Sequence, residues 1–400
     1  MNSRERMRAA LNCGDIDYIP CSFMLFTNLY NQCTTEREYI EEQLKMGIDA
    51  FVHVGHLNHT MHEKGILHPE ARTSEWIEEE NGIRYFCRRI DTPKGPLTSR
   101  IRQRDGWPTE KDFPIMKDWI IPRSEEFLVK PDEDLEKIRY LFGPFKDSDI
   151  ERLRVEAEEA KRIADEHGLF LLGGWKGYVR PNLQVDPGVM GADAMSWLSG
   201  YEEVMVLSIT KPWIINEYVN IIHEWNMKQL EIYLDVTDAE LLIRRSWYET
   251  TDFWSPKTFR ELLVPALKKE AELVHQCDKK YGYIVTSAFA PLVDDILNAG
   301  IDVLIGLDPK EGKIEDLGAI KKKFLSKKKA IWGGVSGAIT VELGTEKETE
   351  EAVVEALSVL GKKGGFILSP VDNVREDTGN AWRNTKTFVQ TWKNYRGKFL

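Results

Sequence analysis

Short apolar runs alternate with amphipathic stretches along most of this 400-residue chain. Runs of four to seven apolar residues bounded by turn signals predict buried strands, and 3.6-residue periodicity between them predicts helices. The spacing predicts a helix over Arg4 to Leu11, ended by Asn12-Cys13-Gly14. A first strand, CSFMLF, follows Asp17-Tyr18-Ile19-Pro20. Thr35 and Glu38 have capping-box spacing and open a helix running towards Met46. The second strand is DAFVHVG, Asp49 to Gly55, and a loop with His56, His59 and His62 follows it.

The pattern changes between about 70 and 110. Asn81-Gly82 stands between two extended runs, a strong hairpin signal, and Thr92-Pro93-Lys94-Gly95-Pro96 makes a further turn. This stretch reads as an antiparallel β excursion after the second strand, charged enough to form an exposed lid or a homodimer surface. Helices are predicted at Asp132 to Leu141 and from Ser148 to Gly168. Beyond that point strands and helices alternate regularly, with a helical zone from about Gly191 to Tyr233 and another from Ser255 to Lys280. Ser255-Pro256 has the N-cap residue followed by proline at the first helical position. Strands beginning near Pro20, Asp49, Leu169, Glu240, Tyr281, Asp302, Ala330 and Gly365 make eight in all. Eight nearly continuous apolar strands separated by helices predict a single α/β domain over 1–400, a (β/α)8 TIM barrel with an insertion at about 70–110. An open doubly wound sheet is the other candidate, but no G-x-G-x-x-G motif follows an early strand.

Composition narrows the partners. A net charge of −11 argues against nonspecific nucleic-acid binding. No apolar run is long enough to span a bilayer, and the first residues, MNSRERMRAAL, have no apolar signal core. Five cysteines without a C-x-x-C pair suit a reducing cytoplasm. The lysine run from Lys321 to Lys329 reads as a solvated helix end.

In a barrel of this kind, ligands bind at the C-terminal ends of the strands. Those ends supply Ser22, Met24 and Phe26; His53 and His56; Trp175; Arg244, Arg245, Tyr248 and Glu249; Thr286 and Ser287; Asp308; Ser336; and Ser369, Asp372 and Asn373. The set suits a polar substrate with an aromatic body. Most members have two readings. His56, His59 and His62 could share one helical face and hold a metal, or be unrelated loop histidines. Arg244 and Arg245 could clamp a substrate carboxylate or phosphate, or one could point into the barrel and form a structural ion pair with Glu249 or Asp308. Glu249 is a candidate general acid or base, a metal ligand, or a loop fastener. Trp175 and Trp247 are the tryptophans expected beside a ligand.

Several stretches carry a resemblance. The opening SRERMRAALNCGDIDYIP, the Thr-Pro-Lys-Gly-Pro turn, FLVKPDEDLEKIRYL, and the end from Ile331 to Val389 resemble the uroporphyrinogen decarboxylase superfamily over nearly the whole chain. The resemblance implies a (β/α)8 barrel and either of two chemistries. Cofactor-free porphyrinogen decarboxylation uses arginines just after the first strand, where this chain has none until Arg37. Methyl transfer with a corrinoid protein commonly uses a zinc held by His and Cys. The matching positions here read Ile284-Val285-Thr286-Ser287-Ala288 and Pro370-Val371-Asp372, without a thiol.

The resemblance is closest to methyltransferase I-like members of corrinoid-dependent O-demethylases. It implies a small methyl donor, such as an O-methyl aromatic, and cobalamin on a partner corrinoid protein. Tyr248, Glu249 and His56 are the expected catalytic groups. Met24, Phe26, His53, Trp175, Arg244, Arg245, Trp247, Asp308 and Asp372 are the expected substrate contacts. A metal site is left unassigned. A decarboxylase of a small aromatic or pyrrolic acid, and a non-catalytic binding barrel, are the competing expectations.

Overall fold

The computed structural model describes residues 1–57, 67–103, 115–175 and 188–400. Its strands are β1 (Phe51–His53), β2 (Arg72–Glu80), β3 (Ile83–Thr92), β4 (Gly95–Arg102), β5 (Ser124–Glu126), β6 (Phe170–Gly173), β7 (Val189–Met190), β8 (Leu241–Arg245), β9 (Lys280–Ile284), β10 (Val303–Leu307), β11 (Ala330–Ser336) and β12 (Phe366–Val371). Seven of them form a curled parallel sheet in the order β1-β6-β8-β9-β10-β11-β12, and the short β7 also pairs with β8.

The first expected strand contracts to one bridge. Cys21 pairs in parallel with Leu368 of β12, through Leu368 N–H to Pro20 O and Ser22 N–H to Leu368 O, each 2.9 Å. On its other side, Cys21 O accepts from Asp49 N–H at 2.7 Å, just ahead of β1. Pro20–Ser22 therefore joins the two ends of the sheet. The strand goes no further because Met24 N–H turns to the Ser369 hydroxyl and a helical turn begins at Thr27.

Strand periodicity sorts the side chains into two cores. Phe170, Leu172, Leu241, Ile243, Val303, Ile305, Ala330, Trp332 and Ile367 form one inner cluster. Their neighbours Leu171, Leu242, Leu304, Ile331 and Leu368 face the other way and pack in the main hydrophobic core. The helix Ser3–Leu11 caps the N-terminal strand ends with Met7, Ala10 and Leu11. Met24, Trp175 and Trp247 close the opposite end.

Local signals explain the helix boundaries. Ser255 accepts from Thr258 N–H and Pro256 begins the helix, while Thr345 and Glu348 cap each other reciprocally. Thr35 accepts from Glu38 N–H, but Glu38 returns its carboxylate to Thr34, one residue earlier than in a capping box. The helix expected from Ser148 starts at Asp147 without a side-chain cap. The zone from Gly191 to Tyr233 divides into Asp193–Ser199, Tyr201–Thr210 and Pro212–Val236. Gly200 causes the first break. It sits at φ +75°, and a Cβ there would lie 2.6 Å from the Phe127 ring. Lys321 departs from the solvated expectation: it is buried and its ammonium donates to the carbonyls of Gly364 and Gly365.

Strands β2 to β5 form an antiparallel sheet that lies in the chain between β1 and β6. Asn81 and Gly82 both have positive φ, as the tight hairpin requires. The sheet extends past the expected limit near 110 by adding β5. The expectation of exposure holds for β2, whereas Tyr85, Phe86, Cys87, Arg88 and Ile90 of β3 are buried. Among the described residues, no helix is long and apolar enough to cross a membrane.

Candidate active site

Alternation along β8 gives its two terminal arginines opposite surroundings. Arg244 follows Leu242 outward, towards the helix Val264–Gln276. Its guanidinium donates to Glu249 Oε1 and Glu270 Oε2, each at 2.5 Å, and to the Ser246 hydroxyl at 3.2 Å. Glu249 also accepts from Ala192 N–H at 2.9 Å and from the Tyr283 hydroxyl at 2.5 Å. Glu270 accepts from His223 Nδ1, Asn226 and Tyr281 at 2.9 to 3.1 Å. Both carboxylates are fully buried, so they share the one Arg244 guanidinium and take their remaining hydrogen bonds from inside the protein. Burial alone would raise the Glu270 pKa, but Arg244 and His223 outweigh it and hold it at about 2. Gly191 makes this approach feasible, since a Cβ there would lie 2.0 Å from Glu249 Oε1.

Arg245 follows Ile243 and turns over the ring of strands. It donates to Asp193 Oδ1 at 2.7 Å and to both oxygens of Asp118 at 3.1 Å. Its guanidinium carbon lies 4.4 Å from the Trp197 ring centroid and 4.6 Å from that of Trp247. Asp118 further accepts from Trp197 Nε1 at 2.8 Å and from the Tyr248 hydroxyl. Asp193 is fully buried and its Oδ2 has no partner. Burial pushes its carboxyl up to about 6. Arg245 opposes that shift, and the charges of Glu249 and Asp118 add to it.

Beside this lattice lies the mouth formed by the strand ends. It is lined by Met24, Trp247, Ile284, Thr286, Ile305, Trp332, Ser369 and Asp372, together with Gly306 and Gly333. Gly306 (φ +102°) sits where the β10–β11 register shifts, a bulge that re-aims the strand end. The enclosed space is about 10 Å³, room for one water. Trp247 and Asp372 are its half-buried walls, and the other wall residues are buried. Trp175 stands edge-on to Trp247 with centroids 5.0 Å apart. Asp308 accepts from Lys310 and Glu311 N–H, and burial raises its carboxyl, with Asp372 adding to the rise. Asp372 is paired on the outside with Arg375 at 2.6 Å.

The sequence profile described as uroporphyrinogen decarboxylase (URO-D) matches residues 192–395, which include Arg244, Arg245 and β8 to β12 but not Asp118. The chain belongs to the uroporphyrinogen decarboxylase family. No curated relative matches it. Among solved structures, a methyltransferase from Methanosarcina mazei is similar over 99% of both chains, with TM-score 0.59 and 15% identity. A D-psicose 3-epimerase from Clostridium cellulolyticum H10 aligns with 66% of this chain and 92% of its own, at 15% identity and TM-score 0.36.

In this uroporphyrinogen decarboxylase family member the expected site residues separate into groups. Met24, Trp247 and Asp372 meet at the mouth, with Trp175 against Trp247 and Asp308 behind Asp372. His53 stands under Trp175, with Nε2 2.9 Å from the Trp175 carbonyl oxygen. Gly55 N–H points at its Nδ1, which assigns the Nε2–H tautomer. His56 stacks on His53 at 5.5 Å. His59 and His62 lie outside the described residues.

Three expectations change. Phe26 does not reach the mouth. It packs outward against Phe23 and Trp382, because the chain has left the extended conformation by that point. Arg244 is buried in an ion pair with Glu249, but it faces outward from β8, whereas the arginine that turns over the ring of strands, Arg245, pairs with Asp193 and Asp118 in place of Glu249 or Asp308. Tyr248 directs its hydroxyl to Asp118, and burial and that carboxylate raise its pKa far above neutrality.

Sequence reading missed Asp118, Asp193, Glu270, His223 and Trp332. Only Trp332 had a usable signal, the inward parity of β11. The others sit on helices or irregular segments, and only tertiary contact brings them to β8.

Proposed function

We propose that the chain is a methyltransferase that moves a methyl group from a small donor to the corrinoid of a partner protein. The donor would sit at the mouth of a closed (β/α)8 barrel, sealed by the Pro20–Ser22 bridge. Family membership, combined with a tryptophan-rich mouth at the strand C-termini, is the observation that carries this reading. The whole-chain fold likeness to a methyltransferase supports it.

In this reading Met24, Trp175, Trp247 and Trp332 exclude water and hold the donor's body. Thr286, Ser369 and Asp372 supply polar contacts. Glu249 and Arg244 are positioning residues that fix the end of β8, and Arg245 with Asp193 and Asp118 holds Trp247 in place. A reduced corrinoid bound by the partner and docked over the mouth would supply the nucleophile for the methyl group. A thiol-ligated zinc does not fit the residues present. The strand-end positions carry no Cys, and among the described residues no three His, Cys, Asp or Glu side chains gather as a ligand set.

Decarboxylation ranks second. It asks for cations at the substrate carboxylate, and both β8 arginines are buried against carboxylates of their own. The test is a panel of methyl ethers, amines, sulfides and onium compounds incubated with cob(I)alamin and the full chain. Methylcobalamin absorbance should appear with at least one of them. Silence across the panel, with carbon dioxide release from an aromatic acid, would transfer the assignment to the decarboxylase. Silence in both assays would leave a binding barrel.

A further inference from the structure

The charge distribution at the mouth points to a class of donor. Among the described residues lining it, none is a lysine or arginine, and the charged one is Asp372. Burial raises the Asp308 carboxyl and Asp372 adds to the rise, while burial, then Asp308 and Asp372, raise the carboxyl of the exposed Glu311. Arg375 pairs with Asp372, but it does so from the rim and its side chain is 58% exposed. Asp372, with the buried Asp308 within its electrostatic reach, faces one exposed guanidinium, so the wall of this apolar chamber, which has room for one water, carries negative charge. The walls of that chamber are the rings of Trp247 and Trp332 and the side chains of Met24, Ile284 and Ile305, with Trp175 against Trp247.

The two β8 arginines that a carboxylate-bearing substrate could have used are held by carboxylates of the protein. Arg244 is buried between Glu249 and Glu270. Arg245 lies against Trp247 with its charge matched by Asp193 and Asp118. Indole faces attract cations through the ring quadrupole, and quaternary ammonium groups are recognised in this way by aromatic cages.

We infer that the mouth takes a donor with a cationic methylated head, a quaternary ammonium or sulfonium, in preference to a carboxylate-bearing ether. The word donor rests on the methyl-transfer reading, but the cation preference is a binding property and can be measured without it. The chemistry is consistent with the placement of the acids. When a methyl group leaves such a head, the C–N or C–S electron pair stays on nitrogen or sulfur. A neutral amine or sulfide departs and no proton has to be supplied. A reduced corrinoid on the partner protein would be the two-electron co-reactant, supplying the pair for the new bond to the methyl carbon. An ether donor would need a proton or Lewis acid at its oxygen, whereas the Tyr248 hydroxyl is directed to Asp118 and Glu249 is held by Arg244 and Tyr283.

The test is calorimetric titration of the full chain, without corrinoid, using three probes. These are choline, its uncharged isostere 3,3-dimethylbutan-1-ol, and 3-methoxybenzoate. Choline should bind about tenfold or more tightly than the isostere, the size of a desolvated cation–π contact plus a carboxylate. Asp372→Asn should cut that ratio several-fold, and Trp247→Leu should weaken choline, with circular dichroism confirming the fold of each variant. Equal binding of the neutral alcohol, tighter binding of methoxybenzoate, or no binding of choline would each overturn the inference. Choline binding without methyl transfer from any onium compound would leave the cation pocket standing and remove the methyltransferase reading instead.

Discussion

Arg244 and Glu249 lie 2.5 Å apart at the end of β8, in a space closed to solvent on every side. Five residues of sequence separate them, yet the contact depends on distant partners: Glu270 on a helix, Tyr283 on β9 and Ala192 at a helix start. A buried charge that loses its partner remains desolvated, which costs more than the pair contributes when intact. Arg244→Ala should therefore lower unfolding free energy by about 3–5 kcal/mol. Denaturant titration reads this directly. If Arg244 were instead a substrate clamp free of structural duty, its removal would leave the denaturation midpoint where it is and abolish binding alone.

Gly191 tests the same lattice from the backbone side. Its missing Cβ is what lets Glu249 and the Arg244 guanidinium approach, the latter 2.7 Å from where that atom would stand. Gly191→Ala should destabilise by roughly 1–3 kcal/mol through overpacking, despite alanine's small size. A thermal shift measurement showing no loss would mean that the lattice can relax around a methyl group.

The lattices also mark how far the sequence could be read. Strand order and the use of strand ends followed from apolar runs, because a strand buried on both faces has little choice but to be continuously apolar. Arg244, Arg245 and Trp247 could be placed at the mouth side of β8 by counting residues from that run. The partners that decide what those arginines do were not legible. Asp193 and Asp118 lie 52 and 127 residues from Arg245, each at the start of a short helical segment that nothing in the sequence ties to β8. Phe26 was misplaced for a related reason. Its apolar run looks like a strand, but Met24 N–H finds a serine hydroxyl in place of a neighbouring strand.

Asp193 gives a pH signature. Its folded carboxyl is raised by burial from 3.8 to about 6, so the folded state prefers the protonated acid. The associated stability is fully present below about pH 4 and is lost as pH rises through about 6. Glu270 works oppositely: its folded pKa is lowered from 4.5 to about 2, and its contribution is lost as pH falls through that value. For a rise from 3.8 to about 6 the Asp193 contribution is on the order of 3 kcal/mol. Asp193→Asn should flatten the stability profile between pH 4 and 6 and leave the acid limb below pH 4 in place. A slope between pH 4 and 6 identical in both proteins would exclude Asp193 as its source.

Arg245 separates geometry from charge. The guanidinium plane lies near the rings of Trp197 and Trp247 while its two ends reach Asp193 and Asp118. Lysine keeps the positive charge but has neither the plane nor the fork of donors. Arg245→Lys should therefore hold the net charge at the mouth constant while releasing Trp247, the half-buried wall that any ligand larger than water has to displace. The expected outcome is a loss of affinity for choline of about three- to tenfold, the range of a surface-to-desolvated cation–π contact. The loss of stability should be smaller than that of Arg244→Ala, because Asp118 is 57% exposed and can be hydrated. Calorimetry and denaturant titration on the two variants settle the comparison. Equal stability losses would make both arginines structural, and an unchanged choline affinity would remove Arg245 from the support of the mouth.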